Sequence, residues 1–341
     1  MSKEALNEFL NLSDYWSMGK GIRAVPEKDG IRLWTYESEK NKKEKRRKNM
    51  AGKILNKRVD MLGFIKVEMA NPNGNPDCEN EPRALLNGYG YMTDVSLKYK
   101  IREAIEQKFG DRPGFARFIK GDGITLETKT NQVVDAYCEA NGIEKENLKK
   151  LPDAAKHLHK AMTDAYFDLR MFGGVLTAMT KNKWTDGKIN GPVQISYANS
   201  LDVISPIRDT ITCVSVASDE EKEKDGKDRN MGSKWMVPYA IYQFEVHISG
   251  AIAEKIGMTE EDLQILTEAI WNMYDMENSA SKTGMDVVRL YVFQHDSKFG
   301  NCKFSKLKDA VAVSSDFEEG TFDTELNEAQ IPASVTVKTY R

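Results

Sequence analysis

Apolar residues in MLGFIKVEM, residues 61–69, fall on both parities, with Phe64 on one face and Val67 on the other. That pattern predicts a strand covered on both sides. Past an Asn- and Pro-rich segment the period changes to that of a helix. Val95, Leu97, Ile101, Ala104 and Ile105 form a stripe that predicts a helix from Thr93 to Phe109, with Thr93 or Asp94 able to cap it. A second helical pattern runs over 152–170, its stripe being Ala155, Leu158, Met162, Ala165, Tyr166 and Leu169, and MFGGVLTAMT then reads as a Gly turn into a strand. DTITCVSVAS (209–218) and MVPYAIYQFEVHIS (236–249) read as the arms of a long hairpin with a polar tip. MTEEDLQILTEAIWNMYDM predicts a helix with Thr259 and Asp262 as an approximate capping pair, DVVRLYVFQHD a strand, and ASVTVKTY a last one.

The core order is strand, helix, strand, strand, helix, strand. This is the split βαβ arrangement of ferredoxin-like and RNA-recognition folds, and the expected class is α+β with large insertions. Residues 1–58 read as a separate extension. KEALNEFLNL has helical spacing with Leu6, Phe9, Leu10 and Leu12 on one stripe, GIRLWTY suits a short strand, and a basic run follows. The remainder, 59–341, carries the core.

Composition narrows the partners. The chain has 341 residues, 40% of them hydrophobic, and a net charge of −3. No apolar run reaches the roughly 18–20 residues of a membrane span, and the N-terminus lacks an apolar leader, so a cytoplasmic protein with no membrane partner is expected. Cys78, Cys138, Cys213 and Cys302 are scattered and fit structural thiols in a reducing compartment. The total charge hides an uneven distribution. From Lys40 to Arg58 only Glu44 is acidic, and cations recur at Lys98, Lys100, Arg102, Arg112, Arg117 and Lys120. A basic face for nucleic acid is therefore compatible with a weakly acidic total.

Three stretches carry candidate chemistry. In NPNGNPDCENEPR, Asn73, Gly74 and Asn75 can adopt left-handed backbone angles and offer amide donors, while Arg83 suits bidentate phosphate contact. The following helix has a polar flank of Ser96, Lys98, Tyr99 and Arg102 near its N-terminus, where free N–H groups favour an anion; an ordinary solvated face has the same composition. In DLRMFGGV, Arg170 ends a helix and Gly173–Gly174 permits close backbone approach, a simple C-cap being the plain alternative. In NMGSKWMVPY, Met231, Lys234 and Trp235 stand at the edge of the hairpin, where a cation can follow a strand backbone and an apolar side chain can wedge between bases. His157, His159, His247 and His295 show no metal-ligand spacing, and neither a catalytic residue nor a cofactor is expected.

NPNGNPDCENEPR, MTDVSLKYKIR, DLRMFGG, NGPVQISYANSLD, MGSKWMVPYAIYQF and VVRLYVFQHDSKFGN, in that order across about residues 60–305, together resemble the CRISPR-associated backbone subunit of type I surveillance complexes (Cascade) in its subtype I-C form, within the RAMP superfamily. The first 55 or so residues lie outside this resemblance. The resemblance implies a modified RNA-recognition-motif palm with a finger or helical insertion at about 110–150 and a thumb hairpin at about 210–247. It implies a non-catalytic subunit that polymerises as a homo-oligomeric filament along a guide RNA (crRNA) and presents it for pairing with target DNA in antiviral defence. The partners implied are further copies of itself and the large, small and guide-processing, handle-binding subunits of the ribonucleoprotein complex. By the family pattern Ser96, Lys98 and Arg102 lie on the RNA, with Arg83, Arg170 and Lys234 as further candidates.

A rival reading comes from type III relatives, which cleave target RNA with a metal ion through a palm-loop aspartate. Asp77 and Glu79 occupy such a loop here and could hold magnesium. Alternatively they end a turn or neutralise Arg83. A stand-alone RNA chaperone is a third possibility, at odds with an apparent thumb.

Overall fold

The computed structural model describes residues 22–27, 30–35, 52–184, 187–213, 230–276, 279–317 and 319–341. The helix expected in KEALNEFLNL, most of the basic run and the hairpin tip at 214–229 lie outside the described residues. Two compact units are distinguished, one of residues up to Lys53 with Thr259–Glu261, the other of Ile54–Met258 with Asp262–Arg341. In the first, Ile22–Glu27 pairs antiparallel with Gly30–Thr35, so GIRLWTY does supply a strand.

The second unit is built on an antiparallel sheet. Its main strands are β1 (Val59–Ala70), β2 (Tyr89–Met92), β3 (Ala198–Val203), β4 (Ile207–Cys213), β5 (Asn230–Ile248), β6 (Met285–His295) and β7 (Val335–Tyr340). They lie in the order β7-β6-β1-β5-β3-β2, with β4 pairing along the first half of β5. The four central strands β6-β1-β5-β3 have the split βαβ order expected from sequence.

β1 is covered on both faces, as apolar residues on both parities require. Val59, Met61, Ile65 and Val67 enter a core shared with Leu97, Ile101 and Ile105 of helix α1 (Asp94–Phe109) and with Ile265, Leu266 and Ile270 of the helix Glu260–Trp271. Leu62 and Phe64 enter a second core with Ile241, Tyr291 and Phe293, closed by Leu307, Val311 and Phe322 from the helix Phe304–Asp309 and the hairpin Val311–Asp316/Thr321–Leu326.

Thr93 is the N-cap of α1, its hydroxyl accepting from the Ser96 N–H at 3.2 Å. The stripe is displaced at its start: Val95 is exposed. The helix expected over 152–170 is two helices, α2 (Ala154–Ala165) and α3 (Phe167–Phe172), broken at an extended Tyr166. Tyr166 bridges to Ala116, and the Phe167 N–H donates to the Ala116 carbonyl at 3.2 Å, so a tertiary contact takes the backbone out of the helix. Ala155 of the expected stripe is exposed. These helices and Leu126–Asn141 share a separate core around Phe118, Val134, Leu158 and Met162. Gly173–Gly174 begins a three-residue strand, and a Cβ at Gly173 would lie 2.3 Å from the Ile189 carbonyl, so this Gly is required for close backbone approach. No helix among the described residues is long and apolar enough to cross a membrane.

Candidate nucleic-acid interface

The Asn-rich segment is a stiff shelf at one end of β1. The Asn71 side-chain amide donates to the Asn80 carbonyl at 2.8 Å, and Asn73 Oδ1 accepts from both the N–H and the hydroxyl of Thr93 at 3.0 and 3.2 Å. Asn75 Oδ1 caps the short turn Pro76–Cys78 by accepting from the Asp77 N–H at 3.3 Å. Lys282 clamps the shelf from outside, its ammonium donating to the Asn71 and Pro72 carbonyls, each at 2.6 Å. The left-handed residues are Glu79 (φ 48°) and Asn80 (φ 64°), whereas Gly74–Asn75 form a strand with Glu81–Pro82. The expectation of left-handed angles at 73–75 is thus corrected. The side-chain oxygens of Asn73 and Asn75 brace the loop and the start of α1, because short polar side chains satisfy nearby backbone donors.

The basic flank of α1 is largely neutralised from within. Lys98 pairs with Asp94 at 2.9 Å one turn earlier and is half-buried. Arg102, expected on a solvent-facing flank, is only 8% exposed, pairing with Asp168 at 3.3 Å and lying over the Phe172 ring. Burial pushes its guanidinium down against the pull of Asp168. Arg117 is buried between Glu103 and Glu106 and stacks on Tyr99, and Lys120 also reaches Glu106. Arg170 is neither a helix cap nor a surface cation. It forms a buried bidentate pair with Asp262, at 3.0 and 2.8 Å, and donates to the Gly114 and Thr163 carbonyls. Asp262, read as half of a capping pair, therefore serves Arg170. The physical reason is common to Arg102 and Arg170: a buried cation must be matched by a carboxylate, and each has one. Of the helix residues, Ser96 and Lys98 are partly exposed at the N-terminal turn, and Lys98 is already paired.

The hairpin base is brought to the shelf. Opposite pairs along β4 and β5 are Arg208 with Trp235, Asp209 with Lys234 and Thr212 with Met231, and the Glu81–Pro82 strand packs beside β5. The Arg208 guanidinium lies 5.8 Å from the centre of the Trp235 ring, donates to the Ser233 hydroxyl at 3.1 Å, and pairs with Glu79 of the shelf at 2.6 Å. Glu79 thus neutralises Arg208 and not Arg83. A cavity of about 460 Å³ opens between Glu79, Arg208, Thr210, Gly232 and Ser233. Lys234 is exposed beside it. Arg83 Nε and Trp235 Nε1 are buried with no hydrogen-bond partner among the described residues. The side chain of Met231 lies outside the described residues.

Asn73, Asn75, Arg83, Ser96, Lys98, Lys234 and Trp235 therefore gather on connected elements, while Arg102 and Arg170 do not join them. Arg208 was missed in the sequence; its alternation with Asp209 in a strand marks it only as one more surface charge. The sheet face itself offers no alternative platform. RNA-recognition sheets stack bases on exposed aromatic residues. Here Phe64, Tyr291 and Phe293 on that face are fully buried, Phe64 against Phe322 at 5.3 Å and the Tyr291 hydroxyl bonded to Thr324 at 2.7 Å.

A second polar centre was invisible in the histidine spacing. The buried Asp60 carboxylate accepts from Arg58 (2.9 and 3.2 Å), His247 Nδ1 (2.6 Å) and His295 Nε2 (2.9 Å). His295 Nδ1 in turn accepts from the Asn301 N–H at 2.9 Å, which fixes the Nε2–H tautomer. Burial alone would raise the Asp60 carboxyl, but the hydrogen bonds from both histidines and Arg58 outweigh it and hold it well below the usual carboxylate range. Among the described residues no group of three or more His, Cys, Asp or Glu side chains could hold a metal ion, and here the histidine nitrogens are engaged with the Asp60 oxygens themselves.

Residues 57–335 match the family model described as CRISPR-associated protein Cas7. A CRISPR-associated protein Cas7 from Haloferax volcanii is 26% identical over 277 residues, 77% of each chain. Among solved structures, a chain of a CRISPR RNA-guided surveillance complex is similar at 14% identity, covering 69% of this chain and 68% of its own, with a TM-score of 0.38. A chain of the type III-B Cmr-beta complex bound to cognate target RNA is similar at 11% identity, covering 75% and 65%, with a TM-score of 0.37. The family model spans most of β1 to β7, shelf and hairpin arms included, and on that match the chain belongs to the Cas7 family of CRISPR-associated proteins.

Proposed function

We propose that this Cas7 chain is a non-catalytic, guide-RNA-binding backbone subunit of a type I, subtype I-C-like surveillance complex. Several copies line one guide, and the guide's bases are left free to pair with target DNA. The observation that carries the reading is the convergence of the braced shelf, the start of α1 and the hairpin base at one end of the central strands β1 and β5, β1 being packed on both faces. Such a site suits backbone contact from Arg208, Lys234, Arg83 and Ser96, with Trp235 beside them. Among the described residues it shows no array of side chains fit to read bases, so on this reading specificity falls to pairing by the guide itself.

The test has two arms. Purified from its host, the protein carries RNA of uniform length. Two guides of equal length and scrambled sequence then bind within a few-fold of each other. A hundredfold preference between them, or failure to hold RNA in either arm, would sink the reading.

A further inference from the structure

We propose that Glu79 is a resident counter-ion on Arg208, occupying the place of an RNA phosphate, and that guide binding proceeds by exchanging this carboxylate for a phosphate. The inference rests on the guide-binding reading and adds a mechanism to it.

Three observations carry the inference. The Glu79 carboxylate and the Arg208 guanidinium meet at 2.6 Å across the cavity between shelf and hairpin base. Carboxylate and phosphate oxygens present similar acceptors to a guanidinium fork, so one can replace the other on the same donors. The pair is also cheap to open. Its side chains are 48% and 69% exposed, and ion pairs in such surroundings contribute little. Finally, the geometry holding Glu79 there is unusual. Glu79 and the next residue, Asn80, are both left-handed without being Gly, and the bracing of Asn71 onto the Asn80 carbonyl fixes the turn. Arg208 is meanwhile kept in position by Ser233 and Trp235 whichever anion it holds. Two buried donors without hydrogen-bond partners among the described residues lie on neighbouring elements, Trp235 Nε1 on β5 opposite Arg208 and Arg83 Nε just past the Glu81–Pro82 strand.

The exchange has a measurable signature. The slope of the salt dependence comes from cations condensed on the phosphates, released when a protein cation neutralises them. Arg208 releases them whichever anion it held before, so it should add its share to the slope. Glu79 competes for the same guanidinium and should therefore lower affinity only while Arg208 is present.

The experiment measures binding of a labelled single-stranded RNA of mixed sequence to the full chain between about 50 and 200 mM salt. It compares wild type, Glu79→Gln, Arg208→Gln and the double variant. Thermal melts check that all four fold, as the exposure of both side chains leads one to expect. Glu79→Gln should tighten binding about two- to fivefold with little change in the slope of log affinity against log salt, whereas losing the Arg208 contact should make that slope shallower by about 0.7. Arg208→Gln should weaken binding, and the double variant should behave as Arg208→Gln alone. If Glu79→Gln leaves affinity unchanged or weakens binding, or if the double variant binds more tightly than Arg208→Gln alone, the exchange is overturned. Should Arg208→Gln still weaken binding in that case, guide binding at this site stands without the exchange. If wild type and every variant fail to bind RNA, the guide-binding reading falls and takes the exchange with it.

Discussion

Arg170 shows how one side chain can look like a ligand contact and be part of the core. Its bidentate bond to Asp262 and its two bonds to main-chain carbonyls tie α3 to the helix Glu260–Trp271 and to the Gly114 turn. Arg170→Ala should cost about 3–5 kcal/mol by stranding Asp262, read as a lowered denaturant midpoint, with no RNA effect beyond that of lost folding. Lys98→Ala should be mild, within about 0.5 kcal/mol; because Lys98 is already held by Asp94, it should change the RNA salt slope by less than the roughly 0.7 of a free phosphate contact. Asp60 adds a pH dependence. A carboxyl depressed in the folded state contributes stability that is complete above its unfolded value of about 3.9 and lost as pH falls through the folded value. Asp60→Asn should therefore be less stable than wild type at neutral pH, with the difference shrinking as the pH drops below about 4, measured by denaturation at a series of pH values.

At the scale of elements, the sequence carried most of what is local. The strand at 59–70 and the helix capped by Thr93 follow from periodicity and capping chemistry within a few residues, while the second hairpin arm, expected from Met236, begins at Asn230, and the first is described only as far as Cys213. What it did not carry is long-range. The break at Tyr166 is imposed by Ala116, and the burial of Arg102 and Arg170 by Asp168 and Asp262, carboxylates far along the chain. The same limit hid Arg208 from the site, because its partner Glu79 belongs to a different element. The shelf was read as a turn-rich loop with left-handed angles and amide donors at 73–75, whereas the Asn73 and Asn75 side-chain oxygens accept bonds from Thr93 and the Asp77 N–H. This bears on catalysis. Asp77 is exposed on the shelf, and Glu79, the second carboxylate that a metal ion would want, is paired with Arg208 in the RNA-free chain. Asp77→Ala should leave RNA loading within about twofold, since its exposed side chain contributes no more than a surface group. The wild type should not cut complementary RNA in magnesium or manganese. Metal-dependent cuts abolished by Asp77→Ala would move the protein to the nuclease class.

For the whole molecule, β1 is covered on both faces, and on the proposed reading copies and RNA meet at the strand ends and the hairpin. The tip, 214–229, mixes acids with Lys222, Lys224, Lys227 and Arg229, a composition suited to a protein neighbour as well as to RNA. Replacing 219–229 by a short Gly/Ser linker should leave the chain folded and reduce the number of copies loaded on one full-length guide, read by the mass of the complex; equal loading would remove the hairpin from the assembly contact. The central position of β1 has a different consequence, one for the ribosome. Its neighbours are β5 and β6, so this twelve-residue apolar strand emerges well before either partner is made. Translating from Ala70 to Val237 takes on the order of 10–30 s at elongation rates of about 5–20 residues per second. Throughout that interval VDMLGFIKVEMA is a bare sheet edge on a nascent chain, and the yield of folded protein in the cell should depend on how well that segment is sheltered during synthesis.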